Sequence, residues 1–265
     1  MLTRKTYNLI AFDIDGTILD INHQVCDRLI NVVCHLQNMG YLFTLVSARV
    51  PYSVLKIANE LGIKNDVICL NGSFITNHAH EVIYSRMFLI DMVRDVLDRL
   101  DKNISRNYYY NFDWILEYPS KFSAIEEVFL TDICKPQMYL NKNEVNKITL
   151  IGEHEMLVKA QHILIQNKNL LVSFSHTNYL EISCNSISKF NGLKYYAETI
   201  GLSPKQVIAF GDGENDVPML SQVGLGVAMG NAVAHVKTMA KDVAGNHDEQ
   251  GVALYLEKLL AQNIL

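Results

Sequence analysis

The sequence lacks the features that mark nucleic-acid-binding, secreted and membrane-spanning proteins. Its 265 residues include 23 Lys and Arg against 28 Asp and Glu, a formal net charge of −5, and the basic residues are scattered. Nucleic-acid backbones are bound mainly through dense positive charge, so we expect no nucleic-acid partner. The first residues lack the apolar core of a signal peptide, and no segment approaches the roughly 20 apolar residues that span a membrane. These absences predict a cytoplasmic protein with no membrane partner.

Cysteine is scarce and shows no pairing pattern. The chain has an odd number of cysteines, five, and no two of them form a CxxC pair. They are Cys26, Cys34, Cys69, Cys134 and Cys184. Most lie in apolar stretches, which favours buried free thiols in a reducing compartment over a disulfide framework or a cysteine metal site.

Both ends of the chain carry the pattern of an α/β fold. Residues 7–12, 41–46 and 66–70 are short apolar runs, typical of buried parallel strands, and helical spacing of apolar residues lies between them. The alternation returns near the C-terminus, with an apolar run at 206–210. With 49% hydrophobic residues, the chain can bury a sizeable core. Strands that alternate with helices predict a doubly wound parallel sheet.

The middle of the chain follows a different pattern, richer in aromatic residues, Asn and Lys. Residues 146–151 and 170–174 predict strands that alternate more strongly, with a helix between them. No Pro/Ser-rich linker, repeat or low-complexity tract separates this region from its flanks. We therefore predict an α+β domain at 83–186, inserted into an α/β core made of residues 1–82 and 187–265.

Four aromatic side chains in this middle region recur with a period of two. They are Tyr108, Tyr110, Phe112 and Trp114. This spacing predicts a single strand at 107–115 with all four rings on one face. Packing of that face against the helices of its own domain is the favoured interpretation, and lining of a substrate pocket is the alternative.

An acidic loop directly follows the first predicted strand. It contains Asp13 and Asp15 two residues apart, then Gly16. Ligands of open α/β sheets bind beyond the carboxyl ends of the strands. Two carboxylates in such a loop can divide the work, one as a nucleophile and the other as a proton shuttle. Gly16 lets the backbone approach a ligand closely, so its N–H can contact a phosphoryl oxygen.

A second acidic cluster, with Asp212 and Asp216, follows the predicted strand at 206–210. An EF-hand loop starting at Asp212 would need glycine where Val217 stands and glutamate where Val223 stands, so that interpretation fails. Two carboxylate loops at strand ends of one sheet are better interpreted together. They predict a site for magnesium, which prefers oxygen ligands.

Two further polar residues lie where they could hold a phosphoryl group. Ser47 follows the second predicted strand and could donate a hydroxyl hydrogen bond, and Lys189 begins a predicted helix and could supply a positive charge. Taken singly, each is better explained as a cap or a surface residue. Together with the two acidic loops they form one constellation at strand and helix ends.

The motifs in their order resemble the haloacid dehalogenase (HAD) superfamily, and within it the Cof-like phosphatases with a large C2-type cap. The resemblance covers essentially the whole chain. Its motifs are FDIDGT at 12–17, SAR at 47–49, NG at 71–72, the lysine at 189, GDGEND at 211–216 and the later VAMGNA and EQGVA segments. It implies a HAD-like catalytic core, with the inserted domain as a cap that sets substrate specificity.

The resemblance also implies roles for the residues already singled out. Asp13 would attack phosphorus and form an aspartyl phosphate, and Asp15 would protonate the leaving oxygen and later activate water. Gly16, Ser47 and Lys189 would bind the phosphoryl group. Magnesium would be bound by Asp13, the backbone carbonyl of Asp15 and Asp212, with Asp216 as a ligand or a support and Asn215 orienting the network.

The chain departs from the family pattern at two places. The family usually has Thr-Gly-Arg where this chain has Ser47, Ala48 and Arg49, and it often has Gly where Phe190 follows the lysine. Neither change removes a catalytic group, although both could alter substrate fit. Arg49 and Asn71 lie at strand ends, and a structural role and a substrate contact are equally open for both.

The expected function is magnesium-dependent removal of a phosphoryl group from a small phosphate ester. Sugar phosphates, flavin mononucleotide and pyridoxal phosphate all stay open as substrates, and the oligomeric state is undetermined. A phosphomutase or phosphotransferase of the same superfamily is the first alternative, and a non-catalytic protein that binds a phosphorylated ligand is another. A phosphorylated receiver module would be much shorter and would need neither Asp15 nor a hundred-residue insertion.

Overall fold

The computed structural model describes residues 6–124, 136–137 and 142–265. The strands are β1 (Leu9–Phe12), β2 (Leu42–Leu45), β3 (Val67–Cys69), β4 (Phe74–Thr76), β5 (Val82–Ser85), β6 (Phe88–Leu89), β7 (Ser105–Tyr110), β8 (Asp113–Leu116), β9 (Glu144–Val145), β10 (Lys147–Ile151), β11 (Leu170–His176), β12 (Tyr179–Cys184), β13 (Val207–Gly211), β14 (Leu225–Ala228) and β15 (Asp242–Val243).

The α-helices of the described residues are α1 (Asp27–Asn38), α2 (Pro51–Glu60), α3 (Arg94–Leu97), α4 (His154–Leu164), α5 (Lys189–Thr199), α6 (Val217–Gln222), α7 (Ala234–Met239) and α8 (Gly251–Ala261). Short 3₁₀ turns lie at Leu70–Gly72, Ile90–Met92, Pro204–Gln206, Glu214–Asp216 and His247–Glu249. None of the helices among these described residues is long and apolar enough to cross a membrane.

The chain divides into two compact units. The first consists of the residues up to 83 together with 188–265, and the second is 84–187. The chain passes from the first unit to the second within β5 and returns after β12.

The first unit is built on a parallel sheet with the strand order β15-β14-β13-β1-β2. All four neighbouring pairs in this order are parallel. In the pair of β1 with β13, Phe12 lies opposite Phe210. Every residue of β1 and β13 is buried, as their continuous apolar sequence predicts for strands covered on both faces. The parallel α/β sheet expected for the two ends of the chain is therefore confirmed.

Helices cover this sheet for reasons that the sequence shows locally. In α1 the buried side chains Leu29, Val32, Val33 and Leu36 recur at helical spacing, and each contributes roughly 1.5–3 kcal/mol when fully buried. Pro51 begins α2 at a position where a missing N–H costs nothing. Helix α5 begins after Ser188, whose side chain accepts a hydrogen bond from the backbone N–H of Asn191.

The second unit contains an antiparallel sheet with the order β11-β12-β10-β7-β8. One face of this sheet packs with residues of α3 and α4 into a single hydrophobic cluster that includes Tyr108, Ile148, Leu157 and Ile182. This is the α+β type expected for the middle of the chain.

The expected single strand at 107–115 is wrong, because the chain reverses at Asn111. That residue adopts a left-handed backbone with φ 52°, and β7 and β8 pair as a hairpin in which Tyr109 lies opposite Trp114. Side chains alternate along each strand, so Tyr108 and Trp114 lie on opposite faces of the sheet. Tyr108 packs into the hydrophobic cluster with the helices, whereas the buried Trp114 donates its Nε1–H to Asn107 Oδ1 at 3.0 Å.

The described cysteines are free thiols that differ in burial. Cys69 is buried, Cys26 and Cys184 are half-buried, and Cys34 is exposed. The expectation of buried thiols holds for Cys69 and is wrong for Cys34, which occupies the solvent face of α1. Cys134 lies outside the described residues.

Gly226 in β14 gives a test of how closely the parallel sheet and α6 pack. A Cβ at this position would overlap the backbone carbonyl oxygen of Leu220, which no side-chain rotation can relieve. Gly226→Ala should therefore lower the free energy of unfolding by about 3 kcal/mol in urea titration followed by circular dichroism. Gly201→Ala is the control, since that position has open space and only a positive φ, worth about 1 kcal/mol. Equal losses in the two variants would contradict the packing described here.

Candidate active site

The first two acidic residues of the site are placed by the central strands of the parallel sheet. Asp13 follows β1 directly, and its backbone N–H donates to the carbonyl of Phe210 at 3.0 Å. Asp212 directly follows β13, the parallel neighbour of β1. The carboxyl ends of parallel strands meet at one edge of a sheet, so this pairing brings the two acidic loops together.

Lys189 lies between two buried carboxylates. Its Nζ donates to Asp13 Oδ1 and to Asp216 Oδ1, at 2.6 Å in each case. The relative exposure of the three side chains is 2% for Lys189, 7% for Asp13 and 0% for Asp216. Removing one partner from such a pair leaves an uncompensated buried charge, so the three groups constrain one another.

The second carboxylate oxygen of Asp216 is also occupied. Oδ2 accepts the backbone N–H groups of Asp212, at 3.1 Å, and Gly213, at 2.9 Å. The carboxylate therefore closes the loop after β13 over the 3₁₀ turn at Glu214–Asp216. A Cβ at Gly211 would lie 2.5 Å from Asp216 Cγ, so the loop has room only for glycine there.

Asp13, Asp212 and Asp216 form an acidic cluster. Each offers a carboxylate oxygen, and these three oxygens lie within 4.8 Å of one another. Lys189 neutralises one of the three charges. The two that remain suit a divalent cation, because hard cations prefer carboxylate oxygens.

Two residues that the sequence analysis gave no role support this cluster. Asn231 Nδ2 donates to the carbonyl of Gly16, at 2.8 Å, and to Asp212 Oδ2, at 3.1 Å. Thr17 Oγ1 donates to Asp13 Oδ2 at 3.3 Å. Asn231 belongs to the VAMGNA segment and Thr17 to the FDIDGT motif. Both motifs can be recognised in the sequence, but the motifs alone assign no role to these two residues.

Gly16 lies against the cluster in a conformation that favours glycine. Its φ is 71°, and a Cβ there would overlap Asp212 Oδ2. A side chain at this position would therefore push apart the loops after β1 and β13.

Ser47, Asn71 and Asn215 form a second hydrogen-bonded group. Ser47 is buried, and its backbone carbonyl accepts the N–H of Asn71 at 2.9 Å. Asn71 has a left-handed backbone with φ 57°, and its Oδ1 accepts from Asn215 Nδ2 at 3.1 Å. These bonds tie the loop after β2 to the loop after β3 and to the 3₁₀ turn that contains Asp216.

Asp15 and Arg49 form a separate pair. Arg49 Nε donates to Asp15 Oδ2 at 2.8 Å, and Nη2 donates to Oδ1 at 2.5 Å. The Asp15 carboxylate therefore does not belong to the acidic cluster of the described residues. Asp13, Lys189, Asp212 and Asp216 thus come together as one group, with Gly16 packed against it.

Comparison with known proteins identifies the family of this chain. Residues 10–256 match the family model described as haloacid dehalogenase-like hydrolase. A protein of Haemophilus influenzae named "Putative phosphatase" is 32% identical over 257 residues, which cover 95% of this chain and 98% of that protein. A protein of Serratia proteamaculans named HMP-PP phosphatase is 27% identical over 270 residues, 96% of each chain.

Among solved structures, a haloacid dehalogenase-like hydrolase from Bacteroides thetaiotaomicron superposes with a TM-score of 0.84. It is 28% identical, and the match covers 96% of this chain and 99% of that one. The chain belongs to the haloacid dehalogenase-like hydrolases. This confirms the family expected from the motifs, together with a HAD-like core that carries an inserted α+β domain.

The electrostatics of this hydrolase favour a cation in the acidic cluster. Burial, and then the like charge of Asp216, raise the pKa of Asp13 from 3.8 to about 8, although Lys189 opposes the change. Burial and Asp216 also raise the pKa of Asp212 to about 6. Burial opposes the charge on Lys189, but the attraction of Asp13 and Asp216 outweighs it and raises the pKa of the ammonium. The raised pKa values mean that too little positive charge surrounds these carboxylates, and a divalent cation would supply it.

These pKa shifts predict how stability depends on pH in metal-free protein. The folded state holds protons on Asp13 and Asp212 to higher pH than the unfolded chain, where both titrate near 3.8. The folded state thus binds more protons between about pH 4 and pH 8, and the free energy of unfolding should fall as pH rises through that window. Excess magnesium should reduce this fall, because it takes the place of the protons.

The measurement is urea unfolding at about pH 5 and about pH 8, with a chelator or with magnesium. Asp13→Asn is the matched variant, since it removes the larger of the two shifts while keeping the shape of the side chain. The variant should show a shallower pH dependence than the native protein. An identical pH dependence in the native protein and the variant would show that Asp13 does not hold a proton in the folded state to higher pH than in the unfolded chain.

Proposed function

We propose that this hydrolase is a magnesium-dependent phosphatase that acts on small phosphate esters through an aspartyl-phosphate intermediate. Its enzyme class follows from its family and from the phosphatase names of its relatives. The observation that carries the mechanism is the setting of Asp13, a buried carboxylate held by Lys189 at the edge of a three-carboxylate cluster.

Asp13 is proposed as the nucleophile. Its two oxygens are oriented by Lys189 and Thr17, so the carboxylate has one position in the site. In the first step a carboxylate oxygen bonds to phosphorus, the bond from phosphorus to the ester oxygen breaks, and Asp15 gives that oxygen its proton. In the second step Asp15 takes a proton from water, which attacks phosphorus, and inorganic phosphate leaves Asp13.

Three groups are proposed to bind the phosphoryl oxygens: the Gly16 N–H, the Ser47 hydroxyl and the Lys189 ammonium. Ser47 Oγ accepts the backbone N–H of Arg49 at 3.2 Å, and a hydroxyl that accepts one hydrogen bond can donate another. Phosphoryl transfer is accelerated mainly by positioning and charge neutralisation, and buried donors serve both needs.

Magnesium is proposed to bind to Asp13, the backbone carbonyl of Asp15 and Asp212. Asp216, whose oxygens accept from Lys189 and from two backbone N–H groups, is proposed as a further ligand or as a support of this site. Asn215 braces the turn through Asn71. When bound, the ion would neutralise the repulsion between the Asp13 carboxylate and an anionic phosphate.

The second unit is proposed as the cap that selects the substrate, with residues 1–82 and 187–265 as the catalytic core. Sugar phosphates, flavin mononucleotide and pyridoxal phosphate are the proposed classes of substrate. Groups that bind only the phosphoryl oxygens would not distinguish one ester from another, so discrimination is proposed to come from this second unit. The site of action is proposed to be the cytoplasm.

The test is phosphate release from p-nitrophenyl phosphate and a panel of small phosphate esters, with magnesium or with a chelator. The native protein should release phosphate only with the metal. Asp13→Asn should lower kcat at least about 10³-fold, because it removes the nucleophile while keeping the side-chain shape.

Glu60→Gln is the matched control, an exposed acid at the end of α2 that should leave turnover unchanged. The proposal fails if folded, metal-loaded native protein turns over none of the esters. Transfer of the phosphoryl group between positions of a sugar, without free phosphate, would instead identify a mutase.

A further inference from the structure

Arg49 and Asp15 make a contact near the site that the proposed mechanism leaves unexplained. The guanidinium takes both oxygens of the carboxylate in a fork, with Nε on Oδ2 at 2.8 Å and Nη2 on Oδ1 at 2.5 Å. The side chains are 28% and 53% exposed. A pair as exposed as this contributes little to stability, so its effect lies in where it holds the carboxylate.

Arg49 is itself held by three further hydrogen bonds, two at its backbone and one at its guanidinium. The backbone N–H of Arg49 donates to Ser47 Oγ at 3.2 Å, and its carbonyl accepts the N–H of Leu70 at 3.1 Å. At the far end of the side chain, Nη1 donates to Ser53 Oγ at 3.1 Å. Ser53 is buried in the first turn of α2, so the arginine is anchored to the fold at both its backbone and its tip.

An unheld aspartate at this position would be free to rotate. Asp15 lies two residues from Asp13, and its carboxylate is more than half exposed. A free carboxylate could turn toward solvent or toward a cation at the nearby acidic cluster. Either rotation would remove it from the place where a proton donor is needed, and a general acid must come within about 2.6–3.2 Å of the oxygen that it protonates.

We propose that Arg49 is a positioning residue for Asp15, and that it acts on the reaction only through that carboxylate. The inference rests on the proposed phosphatase function. The planar fork is specific to arginine, since a lysine ammonium supplies charge without the paired geometry.

The test uses two esters that differ in their need for a proton donor. An alkyl phosphate has a poor leaving group that must be protonated as the bond to phosphorus breaks, whereas p-nitrophenolate leaves without a proton. The ratio kcat/KM covers the steps up to departure of this group. Arg49→Met should therefore lower kcat/KM about 10- to 100-fold for the alkyl ester, and less than about 3-fold for p-nitrophenyl phosphate.

Two more variants separate positioning from charge. Arg49→Lys keeps the charge and loses the fork, so it should show nearly the same ester-selective loss as Arg49→Met. Ser53→Ala removes only the anchor at Nη1 and should give a smaller loss in the same direction. Thermal unfolding of all variants should match that of the native protein, which excludes misfolding as the cause.

A double-mutant cycle decides whether Arg49 acts through Asp15. If it does, Asp15→Asn combined with Arg49→Met should be no slower on the alkyl ester than Asp15→Asn alone, within about 2-fold. Additive losses would overturn the inference, because they require a contact of Arg49 with the substrate itself.

Other results would also overturn it. Equal losses on the two esters, with a raised KM, would identify Arg49 as a phosphoryl-binding group, and full rescue by Arg49→Lys would reduce its role to charge. Both of these outcomes leave the phosphatase function intact. If the native protein released no phosphate from either ester, the proposed function would fail and the inference would fail with it.

Discussion

The ammonium of Lys189, buried between Asp13 and Asp216, is the interaction on which the rest of the site depends. It joins the loop after β1, the turn after β13 and the first residue of α5, which are far apart in the sequence. Breaking a buried pair of this kind typically costs about 3–5 kcal/mol, so the fold and the site are stabilised together. The same lysine can balance only one of three carboxylate charges, and this imbalance is the physical basis for proposing a divalent cation there.

Close approach of backbone segments is the second constraint. Gly16 lets the two acidic loops meet, because a Cβ there would overlap Asp212, and Gly211 leaves room for the Asp216 carboxylate within the second loop. Gly72 and Gly192 allow α5 to approach the turn after β3 closely, since a Cβ on Gly192 would lie 2.7 Å from the Gly72 Cα. Side chains at these positions would move Lys189 away from its partners. The chemistry of the site therefore depends on residues that carry no functional group.

The sequence predicted most where function follows from position in the fold. Asp13 and Asp212 directly follow apolar strands, and the parallel pairing of β1 with β13 brings them together. Prediction failed where one backbone angle decides the outcome. The left-handed Asn111 turns an expected strand into a hairpin and moves Trp114 to the opposite face from Tyr108. The contacts of Asn231 and the fork from Arg49 to Asp15 join residues distant in sequence, and periodicity carries no information about such pairs.

The central claim is that Asp13 carries the phosphoryl group during turnover. Rapid quenching of the magnesium-loaded enzyme with a phosphate ester, then borohydride reduction and peptide mass spectrometry, tests it directly, because borohydride converts an aspartyl phosphate to homoserine. If Asp13 is the nucleophile, homoserine should be found at position 13 and at no other aspartate. Turnover without any modified residue, or with modification at Asp15 or Asp212 instead, would contradict it.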